Sequence, residues 1–65
     1  MYRTLESRIA YHGISKKSLA EDAGMRYNTL LSKMSGKTKF TLDEAILIKK
    51  LLKEDMPIEE LFKDE

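Results

Sequence analysis

Asn28 and Ser32 are polar side chains four apart in a short stretch whose residue types suit the reading of polar edges. The Asn28 amide donates and accepts at once, which matches the N7 and N6 edge of adenine. Ser32 is short and bonds several edges. Arg26 carries a planar fork that fits a guanine or a phosphate. Tyr27 combines a ring that packs with a hydroxyl that reaches outward. Leu31 either meets a thymine methyl or covers the edge of a core. Lys16 and Lys17 precede this stretch, Lys37 and Lys39 follow it, and Thr29 and Ser35 add hydroxyls. By residue type, Arg26, Tyr27, Asn28, Leu31 and Ser32 are candidates for nucleic-acid base edges, and Lys16, Lys17, Thr29, Ser35, Lys37 and Lys39 for phosphates.

The elements that must hold these side chains are short helices. Leu30 anchors the stretch. Stepping 100° per residue from Leu30 puts Asn28 and Ser32 on the opposite, exposed side, with Thr29 and Leu31 on the flanks. Tyr27 falls only about 60° from the buried centre. Upstream, Ala20 and Gly24 lie four apart, and Leu30 follows six later. That spacing lets two helices meet at a tight bend: Ala20 is small where the helices cross, and Gly24 takes up left-handed backbone. It is the pattern of a helix-turn-helix over about residues 15–35.

Five helices are expected. The first covers about residues 2–12, with Leu5 and Ile9 inward, and Gly13 stops it while Ile14 drops toward the core. Ser15 caps the second, which turns Leu19, Ala20 and Ala23 inward. The third runs over about residues 26–35 with Leu30 and Met34 inward and Gly36 at its end. Thr41 and Glu44 form a capping box for the fourth, and Phe40 staples onto Ala45. Leu42, Ala45, Ile46 and Leu52 make its inner face, and Leu47, Ile48 and Leu51 widen the apolar surface. Pro57 opens a last helix in its first turn, and Leu61 and Phe62 close the core. Lys63, Asp64 and Glu65 are expected to fray. No strand pattern, repeat or linker is present.

The 65 residues allow one domain of modest stability. There is no Cys, so no disulfide or thiolate metal site exists. No apolar run reaches the roughly 18 residues of a membrane span, and the N-terminus lacks a signal-peptide core; a cytoplasmic protein is expected. The net charge of +1 hides an asymmetry. Residues 1–40 hold eight basic residues against three acidic ones, a net +5, whereas residues 41–65 hold four against eight, a net −4. A basic front suits a polyanionic partner. His12 is the only histidine and is read as a helix-end residue. Arg3 and Arg8 either reach toward that partner's backbone or pair with Glu6. Ser15 and Ser18 have no base and orienter, and no glycine-rich phosphate loop is present. We expect no catalytic residues, metal, cofactor or small-molecule ligand.

Ile14-Ser15-x-x-x-Leu19-Ala20-Glu21-x-Ala23-Gly24-Met25 resembles the Cro/repressor class of helix-turn-helix proteins, the lambda-repressor-like or xenobiotic-response-element type. Leu30-x-x-Lys33-x-x-Gly36-Lys37-x-x-Phe40-Thr41-Leu42-Asp43-Glu44-Ala45 resembles small regulators of phages and mobile elements. The likeness covers about residues 5–62. It implies an all-α, compact five-helix domain that binds double-stranded operator DNA, commonly as a dimer. The third helix would enter the major groove, and Tyr27 matches a position that contacts bases in relatives. The start of the second helix and the loop after the third would grip phosphates. Two residues depart from the pattern: Leu31 is apolar where a polar residue is frequent, and Lys33 is charged where relatives often keep an apolar side chain. The Lys33 stem is expected to lie along the core and carry its charge outward. A homodimer would form through the helix 4–5 region. The alternative is a helix-turn-helix adaptor, antitoxin- or anti-repressor-like, that binds a protein through Leu47, Ile48 and Leu51.

Overall fold

Side-chain caps mark where two of the helices begin. Ser15 Oγ accepts from the Ser18 N–H at 3.0 Å. Thr41 Oγ1 accepts from the Glu44 N–H at 3.1 Å, while the Glu44 carboxylate accepts from the Thr41 N–H at 2.9 Å. This reciprocal capping box satisfies two donors that the helix cannot. The computed structural model describes all 65 residues and holds five helices and no strand: α1 (Arg3–Tyr11), α2 (Lys16–Asp22), α3 (Tyr27–Met34), α4 (Leu42–Leu52) and α5 (Ile58–Leu61).

Helix ends follow the same local logic. Gly24 has φ +71°, and the Met25 N–H closes onto the Ala20 carbonyl at 2.9 Å. Gly36 has φ +90°, and the Lys37 N–H closes onto the Ser32 carbonyl at 3.0 Å. Both are left-handed stops that satisfy the last carbonyls of α2 and α3. Lys53 does the same job at the end of α4 with φ 55°, a conformation that strains a side chain with a Cβ. Its reward is position, because the next residue, Glu54, is thereby turned into the protein.

Leu5, Ile9, Leu19, Ala20, Leu30, Met34, Ile48, Leu52 and Leu61 form one core. Each fully buried leucine contributes about 1.5–3 kcal/mol. α2 packs on both α3 and α4, and α5 packs on α1 and α4. Tyr2, Phe40 and Phe62 close one end of the core with edge-on rings 5.1–6.3 Å apart.

Several expectations need correction. Leu42 is 67% exposed, whereas Ile48 is fully buried at the centre of α4. Ile46 is only half-buried. α4 is apolar on most sides, so spacing alone does not single out its inner face. Phe40 packs edge-on against Tyr2 and Phe62. Pro57 precedes α5 with an extended ψ of 149° and stands outside its first turn. The last residues are tied down. The Met1 ammonium donates to Asp64 Oδ1 at 2.7 Å, the Glu65 N–H donates to the Met1 carbonyl at 2.8 Å, and Thr4 Oγ1 donates to Glu65 Oε1 at 3.0 Å.

Candidate nucleic-acid interface

α3 is held by its buried face. Leu30 and Met34 enter the core, and the turn at Gly24 fixes where the helix begins. Arg26 is the N-cap residue with extended backbone, and its guanidinium, which has no acceptor to cap a helix, makes no ion pair. Arg26, Tyr27, Asn28 and Thr29 are exposed, Tyr27 at 45%. Leu31 and Ser32 are half-buried. Ser32 was expected to be as exposed as Asn28; it lies closer in because the loop after α3 folds back over it. Its carbonyl accepts from the Lys37 N–H and, at 3.4 Å, from the Thr38 N–H.

Two open depressions run along this face. Asn28, Leu31, Ser32, Ser35 and Lys37 line one of about 350 Å³. Met1, Glu6, Lys16, Leu31, Met34 and Ser35 line the other, of about 310 Å³. They meet at Leu31 and Ser35. The assigned residues Lys16, Asn28, Leu31, Ser32, Ser35 and Lys37 are therefore brought onto one strip. Arg26, Tyr27, Thr29, Lys17 and Lys39 lie outside both depressions. Lys17, Arg26, Lys37 and Lys39 are exposed and make no ion pair.

Two of the assigned phosphate ligands already have partners. The Lys16 ammonium meets Glu6 Oε1 at 2.5 Å. The Ser35 hydroxyl donates to the Ser32 carbonyl at 3.0 Å, so its proton is engaged. Lys33 is a residue that the reading by type undervalued. Its ammonium reaches the Lys39 carbonyl and Glu44 Oε1, each at 3.0 Å, and its side chain is only 12% exposed. It ties the loop that carries Lys37 and Lys39 to the first turn of α4. The Thr41 N–H, helped by the Lys33 ammonium, holds the Glu44 carboxyl below its ordinary range, and partial burial opposes the shift.

A second charged cluster lies elsewhere. Arg8 Nε donates to Glu54 Oε2 at 2.6 Å and Nη2 donates to Glu54 Oε1 at 3.2 Å. His12 Nε2 lies 3.1 Å from Glu54 Oε2. The Arg8 guanidinium also stacks over the Tyr11 ring at 4.2 Å. Arg8 thus turns to Glu54 instead of Glu6, and His12 is tied to the same carboxylate. The Arg8 hydrogen bonds, more than the contact from His12, pull the Glu54 carboxyl down to about 2 against opposing desolvation. The same contact raises the Arg8 guanidinium above its ordinary value.

No group of three or more His, Cys, Asp or Glu side chains is placed to hold a metal. No helix is long and apolar enough to cross a membrane. No family model, curated protein or solved structure matches the chain.

Proposed function

We propose that the chain is a sequence-specific, double-stranded DNA-binding regulator of the lambda-repressor-like type, with α2 and α3 as its helix-turn-helix. One observation carries the reading. Asn28 and Ser32 share an open strip with Lys37, and the side chains of all three lack an internal hydrogen-bond or ion-pair partner. Polar groups held on a rigid helix without internal partners are suited to partners outside. An α-helix with its side chains is about 10–12 Å across, and the major groove, about 12 Å wide, admits one. The exposed Arg26 at the N-terminal end of α3 and Lys37 and Lys39 beyond its C-terminal end complement the phosphates that border that groove.

The mechanism is occupancy. Bound on an operator in the cytoplasm, the protein blocks polymerase or recruits it, with no catalytic step and no cofactor. As a twofold dimer joined through α4 and α5, it would set its two α3 helices on half-sites about 34–36 Å apart.

Selection of bound duplexes from a random pool tests the reading and gives the symmetry of the site. Asn28→Ala is expected to cost about 1–3 kcal/mol on the preferred site and to relax the preference at one position. A selection that recovers the same preference at every base from this variant would remove Asn28 from the readers. Retention of no duplex under heparin competition would remove the proposal itself. Tight capture of a protein partner in that case would support the adaptor alternative, though not through the surface expected for it. Ile48 is fully buried and Leu51 packs on the core, which leaves only Leu47 of the three exposed.

A further inference from the structure

We propose that Leu31 gives α3 a contact for the C5-methyl group of thymine, which makes the protein sensitive to one methyl in the major groove. The inference rests on the DNA-binding reading above. Leu31 is half-buried, and it is set apart from the apolar side chains that pack on the core. The half-buried apolar side chains packed on the core are Tyr2, Ile14, Met25, Phe40, Leu51, Met56 and Phe62, and Leu31 is not one of them. α3 meets the core through Leu30 and Met34 instead. Leu31 and Ser35 line both depressions of the strip, and Leu31 is the apolar side chain they share.

The surroundings decide what that side chain receives. Asn28 and Ser32 border Leu31 on one side, and Lys37 supplies positive charge at the edge. A leucine pressed against base nitrogens and oxygens leaves them without water and without partners. The thymine methyl is the one apolar group that the major groove displays. Asn28 and Leu31 are three apart on the helix, so their side chains are neighbours about 5–6 Å apart. An adenine held by Asn28 and a methyl held by Leu31 then belong to the same or adjacent base pairs.

The test uses the whole chain and a duplex recovered from the random-pool selection. Each thymine is replaced in turn by deoxyuridine, which deletes only the methyl. One position is expected to weaken binding about fourfold, the worth of one buried carbon, while the others change little. Leu31→Ala should bind more weakly and no longer distinguish thymine from uracil at that position. Leu31→Met, which keeps an apolar side chain, should retain the distinction, and circular dichroism should report the same helix content for both variants. Equal binding of thymine and uracil duplexes by the wild-type protein overturns the inference and leaves the DNA-binding reading standing. An undiminished thymine preference in Leu31→Ala overturns it as well, by placing the contact elsewhere. Binding of no duplex at all removes both.

Discussion

The corner formed by Arg8, His12 and Glu54 and the outer strip of α3 both gather polar side chains, yet they answer them differently. In the corner, a carboxylate only 6% exposed receives two hydrogen bonds from Arg8 and a third contact from His12. Every group there finds its partner inside the molecule. On the strip, Asn28, Ser32 and Lys37 find none. Helix starts repeat the contrast. α4 opens with Asp43 and Glu44 and α5 with Glu59 and Glu60, acids that suit the positive end of a helix. The first turns of α2 and α3 contain no acid, and α2 opens with Lys16 and Lys17, which that end disfavours. One region is electrostatically closed and serves the fold. The other leaves Asn28, Ser32 and Lys37 without internal partners, while Lys16 at its edge is held by Glu6.

The sharpest way to break this comparison is to open the closed corner. Glu54→Ala leaves Arg8 without its carboxylate in a half-buried position, and we expect the largest loss of stability among the variants considered, read as a fall in Tm. Its sequence preference on DNA should be unchanged, since the corner lies outside the strip. A shifted preference would mean that the two regions are coupled. Acid titration probes the same corner. The Glu54 carboxyl lies near 2 in the folded protein, below its ordinary 4.5. Its stabilisation is therefore complete above about 4.5 and is lost as the pH falls from there toward about 2. Glu54→Gln should lack that segment of the acid-unfolding curve. Identical curves for the two proteins would show that the ion pair carries no pH dependence.

A smaller effect is expected at the turn that supports the open strip. Gly24 has φ +71°, and a Cβ built there meets nothing within 4 Å. The cost of Gly24→Ala is then backbone strain alone, about 1–2 kcal/mol, measurable by denaturant unfolding. A loss well above that range would mean that α2 and α3 shift against each other, and thymine-dependent binding should then fail as well.

Gly24 also marks what kind of information the chain displays openly. The Ser15 cap, the Thr41 and Glu44 box, the glycine stops and the Leu5 and Ile9 pair are all relations within a few residues, set by backbone geometry. They are legible because their partners are near in sequence. Arg8 and Glu54 are 46 residues apart, and Met1 meets Glu65 across the whole chain. No spacing rule links them. The inner face of α4 was blurred because Leu42, Ala45, Ile46, Leu47, Ile48, Leu51 and Leu52 surround much of the helix. In the candidate site, residue type identified the cations and the amide. Whether each was free could not follow from type, and Lys16, Lys33 and Ser35 all turned out to have partners within the protein.

Lys16 carries the finest test, because it stands where the open and closed regimes meet. Its ammonium lies at the edge of the strip but already holds Glu6 at 2.5 Å. A DNA phosphate at that point must share Lys16 with a carboxylate or displace it. Glu6→Gln removes the competing charge and keeps the shape. Both partners are substantially exposed, and such pairs are worth about 0.2–1 kcal/mol, so affinity for DNA should rise by at most about fivefold. The rise should be similar for all sequences, because a phosphate carries no base identity. It should also vanish in a Lys16→Ala background, where log K should fall less steeply with log salt by up to about one unit. An increase that survives the loss of Lys16 would mean that Glu6 repels DNA through the general field and does not act by occupying one lysine. No increase at all would place Lys16 with the closed corner, as a residue whose charge serves the fold.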